Sequence, residues 1–187
     1  MVGNDIVDIN EAKRASNWQR LRFLEKLFTI EEQLVIYNAS HPFLKVWQLW
    51  SMKEAAYKLY TQIYPSRFYN PKGFECSFED SFGIVKFKQF RCYLATKITP
   101  NYIISEARLN VNSMTSKVIK FKNKDVESQS KIIRKAIINR GADVFNTSKK
   151  HLKITTSIYG VPSINISSKI VPLSLTHHGN YGAYAFS

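Results

Sequence analysis

A chain of 187 residues with 44% hydrophobic and 13% aromatic composition can bury one good core or at most two small ones, so one domain over residues 1–187 is expected. No run of uncharged apolar residues is long enough for a membrane span and the N-terminus lacks the basic and apolar regions of a signal peptide, so the chain is expected in the cytoplasm. The net charge of +13 attracts anions, whether nucleic acid, a phosphorylated ligand or an acidic protein, while Cys76 and Cys92 form neither a disulfide framework nor, with the four histidines, a zinc spacing.

Residues 2–9 read as a short strand interrupted by Asn4, Asp5 and Asp8. Burying an unpaired carboxylate is expensive, so these acids must meet a metal, a cation, backbone donors or water; for Asp8 the reading is a cap or pairing residue at the strand's end. Trp18, Leu21, Leu24 and Leu27 recur at three-residue steps and predict an amphipathic helix over 16–28, with Arg20, Arg22 and Lys26 outside the stripe. Thr29 and Glu32 have capping-box spacing, which starts a helix running to about 38.

The Ser40-His41-Pro42 break starts a long helix over about 43–60, and Pro65 and Pro71 mark its exit loop. On that helix Glu54 and Lys58 are four apart and share a face, with Trp47 and Trp50 one and two turns back. A carboxylate and an ammonium then project from an apolar wall, although the same spacing also suits an ordinary surface pair. Strands follow at 74–78, 83–90, 91–98 and 102–109 as an antiparallel meander, then a basic helix over 125–139 with Gly141 as its C-cap. The last strands are expected at 152–158, 163–166, 173–176 and 181–186, with no internal repeat.

Three segments, Gly3-Asn4-Asp5, Trp50 to Lys58 (Trp-Ser-Met-Lys-Glu-Ala-Ala-Tyr-Lys) and Thr176-His177-His178, in this order resemble the 4'-phosphopantetheinyl transferases, and the order is similar to the holo-acyl-carrier-protein synthase type. The resemblance implies an α+β fold, a single module with an antiparallel sheet packed against a long helix and shorter helices, here with an enlarged region at about 61–150. It implies transfer of phosphopantetheine from coenzyme A to a serine of an acidic apo carrier protein, as in fatty acid biosynthesis, with Mg2+ as cofactor. By the same resemblance Asp5 and Glu54 are metal ligands, Glu54 and Lys58 are catalytic, and Lys53, Thr176, His177, Gly160 and Pro162 contact coenzyme A. That type assembles as trimers with sites between subunits, and the helix after its first strand offers arginines to the carrier protein.

Three positions depart from the family pattern. Val161 stands where a Gly-Lys-Pro turn has lysine, Val7 where the longer two-module type has a second acid, and His178 where serine is usual. Two other readings compete: a non-catalytic carrier-protein binding module, and a basic nucleic-acid binding protein. The first does not need Asp5, Lys53, Glu54, Lys58 and His177 together, and the second has charge but no zinc-finger, RNA-binding-strand or basic-zipper motif.

Overall fold

The computed structural model describes residues 1–79, 82–122 and 125–186. The first strand, β1 (Gly3–Asp8), is buried along its whole length and leads into α1 (Ile9–Ala15). Two short helices follow, α2 (Phe23–Leu27) and α3 (Ile30–Tyr37), and then the long α4 (Pro42–Ile63). The strands β2 (Glu75–Glu79), β3 (Phe82–Phe87), β4 (Phe90–Ile98) and β5 (Tyr102–Arg108) form the expected meander, and β5 pairs antiparallel with β1 to give the order β1-β5-β4-β3-β2.

The second half repeats this topology. A strand β6 (Lys117–Lys120) precedes a long helix α5 (Val126–Val144), then β7 (Leu152–Thr156), β8 (Pro162–Ile166), β9 (Lys169–His178) and β10 (Tyr181–Phe186) run as a meander. Here too the last strand pairs with the first, giving β6-β10-β9-β8-β7. The region at about 61–150 completes the first sheet and supplies β6 and α5 to the second half. The fold is α+β with two antiparallel sheets, the first packed on α4, and the topological repeat leaves no trace in the sequence.

Each sheet has its own core. Val7, Leu49, Met52, Ala55, Leu59, Phe74, Val85, Leu94 and Ile103 fill the space between α4 and the first sheet, and Phe121, Ile133, Ile137, Leu173 and Tyr184 that between α5 and the second. A smaller cluster of Ile6, Ile104, Tyr181 and Ala183 joins the two sheets, with the rings of Tyr102 and Tyr181, the first residues of β5 and β10, 5.1 Å apart. Behind it, the buried carboxylate of Glu106 accepts the backbone and side-chain donors of Ser116 at 2.6 and 2.7 Å and Arg108 Nε at 2.8 Å, which pins the crossover from β5 to β6. No described helix is long and apolar enough to cross a membrane.

Local chemistry accounts for where the elements begin and end. Thr29 and Glu32 form the predicted capping box at α3, and Asp125 caps α5. The helix expected over 16–28 is broken instead: the Asn17 side chain accepts the Gln19 amide, Arg22 takes a left-handed φ of 63°, and Leu21 is 89% exposed rather than part of an apolar stripe. Gly141 lies inside α5, where a Cβ would come within 3.3 Å of Leu152, and Phe145 is the C-cap. Both thiols are packed, and burial pushes that of Cys92 up to about 12.

Candidate active site

Gly3 brings β1 against α4. A Cβ at this position would lie 2.0 Å from the Ala55 carbonyl oxygen and 2.6 Å from the Leu59 nitrogen, so only glycine permits the contact. The contact sets Asp5 beside Lys58, whose ammonium donates to Asp5 Oδ1 at 2.9 Å and to the Asn4 carbonyl at 3.0 Å. From α4, Ser51 also donates to the Asp5 carbonyl, and Gln62 holds Val2 on one side and the Leu173 carbonyl on the other.

Among the described residues, the other edge of β1 has no strand partner. Its groups are met by side chains at alternate positions of β9, which point to one face. Ser174 Oγ accepts the Asn4 amide at 2.8 Å, Thr176 Oγ1 donates to Asp5 Oδ1 at 2.9 Å, and His178 Nδ1 accepts the Asp8 amide at 3.0 Å. Asp8 itself caps α1 through the amides of Asn10 and Glu11 and also accepts the Asn180 amide at 2.8 Å, so it is a structural joint. Ser174 and this comb were not legible beforehand, because each hydroxyl or imidazole is unremarkable until the strand opposite it is known.

Glu54 is half-buried, and its carboxyl is pushed up to about 7, first by burial and then by the Asp5 charge, with Lys58 opposing. It forms no hydrogen bond with a described residue, and Asp5 uses only one of its two oxygens in such bonds. A half-buried acid without donors beside a second acid suits a cation. Among the described residues no group of three ligand-type side chains gathers, so the protein offers two carboxylates, a set that fits magnesium held partly by substrate oxygens and water.

Two cavities flank this centre and share Tyr57. One, of about 280 Å³, is lined by Lys58, Gln62, Arg134, Gly160, Pro162 and Leu175, and so unites the Gly160 turn with Lys58. His177 lies on the same face of β9 as Leu173 and Leu175, opposite Gly182 and toward α5. The protein packed around its base holds its imidazole below the usual range, with Lys58 and then His178 adding to the effect. The second cavity, of about 500 Å³, is aromatic and is lined by Trp50, Glu54, Tyr57, Phe68, Tyr69 and Phe74.

Lys53 and Thr176, which the resemblance sets against coenzyme A, have protein partners in the structure. The Lys53 side chain is 1% exposed, and its ammonium is taken up by Glu32 Oε1 at 2.8 Å and the carbonyls of Phe74 and Pro71 at 2.6 and 3.1 Å. The ammonium thus donates two hydrogen bonds to backbone carbonyls and is ion-paired with the Glu32 carboxylate. Thr176 faces Asp5 rather than a phosphate cavity. The structure thus brings Asp5, Glu54, Lys58 and Thr176 together, sets Gly160 and Pro162 beside Lys58, and places Lys53 at the base of the aromatic cavity with its ammonium buried.

All these groups come from a single chain. The repeat places different residues at the equivalent positions of the two halves. Matching Tyr102 with Tyr181 by strand register makes Lys117 the counterpart of Asp5 and Lys97 that of Thr176. Two ammonium groups in those places give a divalent cation nothing to bind.

Comparison with curated proteins gives no match. A family model for the 4'-phosphopantetheinyl transferase superfamily matches residues 1–105, which hold β1, α4 with Glu54 and Lys58, and most of the first sheet. With more than half of its length matched, and with the motif residues of β1 and α4 meeting at one centre, the chain belongs to the 4'-phosphopantetheinyl transferase superfamily.

Proposed function

We propose that this protein transfers the 4'-phosphopantetheine arm of coenzyme A to a serine of an acidic apo carrier protein, with Mg2+, releasing adenosine 3',5'-bisphosphate, and that the whole chain acts as one unit. The observation that carries this reading is the meeting of Asp5, Glu54 and Lys58 between two cavities, with Thr176 closing the centre from β9. Asp5 and Glu54 would hold the metal ion, which when bound neutralises pyrophosphate charge. The serine oxygen forms a bond to the pantetheine-bearing phosphorus as the bond to the bridging oxygen breaks. Glu54, or a water on the metal ion, would accept the serine proton, and Lys58 would offer its ammonium to the departing phosphate. Arg134 and the Gly160 turn, in the cavity beside Lys58, suit the phosphates of the nucleotide, with His177 on the same face. The decisive experiment is mass spectrometry of an apo carrier protein incubated with coenzyme A and Mg2+. Gain of one phosphopantetheine is expected, and no gain with any carrier type would overturn the reading.

Lys58→Ala is expected to lower kcat by about a hundredfold while changing the KM for coenzyme A little, because the leaving phosphate gains charge only in the transition state. A full rate in steady-state kinetics would reduce Lys58 to a partner of Asp5.

For the carrier protein, the segment between α1 and α2 offers cations around a dent of about 300 Å³ lined by Trp18, Arg20, Arg22, Leu24 and Tyr37. Arg14 is paired with Glu11, whereas Arg22 and Leu21 are exposed. Arg22→Glu is expected to slow carrier association about tenfold at low salt, with coenzyme A binding unchanged. Stopped-flow traces identical to the parent's would place docking elsewhere.

A further inference from the structure

Lys53 is a buried charge that the proposed reaction leaves unused. A buried ammonium is costly unless every donor is met, and a well-packed apolar pair is often at least as stable. Its three acceptors come from two places: Glu32, at the start of α3, and the carbonyls of Pro71 and Phe74, at either end of the 3-10 turn Pro71–Gly73. Glu32 also accepts the Cys76 amide at 2.7 Å and the Thr29 amide at 2.8 Å, and the Phe28 ring lies 5.5 Å from the ammonium. One ion pair therefore fastens α3, α4, the turn and the start of β2.

The turn ends a stretch, 65–70, with no regular structure, and this stretch forms the outer wall of the aromatic cavity beside Glu54 through Arg67, Phe68, Tyr69 and Asn70. Its apolar anchor is Phe68, edge-on to Tyr57 at 5.4 Å and stacked on Phe74 at 6.2 Å. Its polar anchors near the turn are the Asn70 side chain on Gly73, an exposed contact of Lys72 to the Glu25 carbonyl at 3.4 Å, and Lys53. Lys53 is the buried member of that set. It precedes Glu54 on α4, so it holds from the buried flank the wall that faces Glu54 in the cavity.

We propose that Lys53 is a positioning residue: through Glu32 and the carbonyls of Pro71 and Phe74 it fixes the 65–74 wall of the cavity beside Glu54, and it makes no contact with coenzyme A phosphates. The kinetic arm of its test rests on the transferase reading; the structural arm does not.

Lys53→Met alone leaves Glu32 buried and unpaired, which threatens the fold. The working variant is therefore Lys53→Met with Glu32→Gln, which removes both charges and keeps an acceptor oxygen for one of the two amides, Thr29 or Cys76, that the Glu32 carboxylate holds. Two readouts decide the outcome. In limited trypsin digestion, cleavage after Arg67 and Lys72 is expected to accelerate about tenfold as the wall loosens. In calorimetric titration, the affinity for adenosine 3',5'-bisphosphate is expected to stay within about twofold while kcat/KM for the carrier protein falls about tenfold. Lost nucleotide affinity with unchanged cleavage would overturn the proposal in favour of a direct phosphate contact, and no change in either readout would overturn it as well. Should the parent protein neither bind the nucleotide nor modify a carrier, the transferase reading fails, and the cleavage rates alone decide the role of Lys53.

Discussion

Glu54→Gln is expected to abolish transfer and at the same time to stabilise the metal-free protein at pH 8. The loss of activity follows from removing one of the two carboxylates at the centre and the group placed to take the serine proton. The gain follows from linkage. The Glu54 carboxyl is raised from 4.5 to about 7, by burial first and by Asp5 second. Between those values the native state keeps a proton that the unfolded chain has released, so stability falls as pH rises through this window. The ionised form costs on the order of 3 kcal/mol above pH 7, an upper figure because water reaches part of the group. Glutamine carries no such cost. Urea unfolding in chelator at pH 5 and pH 8 should therefore show a variant that resembles the parent at the lower pH and exceeds it at the higher. Added Mg2+ should stabilise the parent and not the variant. A parent with pH-independent stability over this range would mean that Glu54 is well solvated, and transfer at the parental rate by the variant would remove it from the chemistry.

Asp5 differs from its neighbour in a way the sequence conceals. Both are acids near the same lysine, but Asp5 receives the Lys58 ammonium and the Thr176 hydroxyl, while Glu54 receives no donor from a described residue. The sequence placed both residues on the right elements, since strand alternation and helix spacing are local. Which acid is satisfied depends on β9, which lies some 170 positions away, and no local pattern reports that.

The same limit hid the protein partners of Lys53. On the helix it looks like one more exposed cation beside Glu54 and Lys58, and the capping box at Thr29 and Glu32 looks purely local. Glu32 in fact serves both purposes, one oxygen closing the cap and the other holding Lys53. The break near Trp18 failed for a different reason: three-residue spacing of apolar residues is necessary for an amphipathic helix but does not prevent Asn17 from capturing a nearby amide and unwinding it. The repeated topology was invisible because the two halves share a path and not a pattern, with Lys117 on β6 as the counterpart of Asp5 on β1 and Lys97 on β4 as that of Thr176 on β9.

Gly3→Ala is expected to destabilise the fold by about 3 kcal/mol or more, the upper end of what a single added methyl does in a packed core. The added carbon would sit 2.0 Å from a helix carbonyl and 2.6 Å from a helix nitrogen, both backbone atoms that no rotamer change can move. Relief requires β1 and α4 to part. That motion draws Asp5 away from Lys58, since one is fixed to the strand and the other to the helix, and it strains the Gln62 bridge from Val2 to Leu173. The variant should therefore lose activity beyond what its reduced folded fraction explains, which measurement of kcat per folded molecule at low temperature would show. Asn4→Ala offers the contrast: the Asn4 amide and carbonyl that meet Ser174 and Lys58 belong to the backbone, so this variant keeps both bonds and gives up only the side-chain bond to Ser116. If Gly3→Ala unfolded at the parental urea midpoint with parental kcat, β1 would not be pressed on α4 in solution, and the placement of Asp5 beside Lys58 would fall with it.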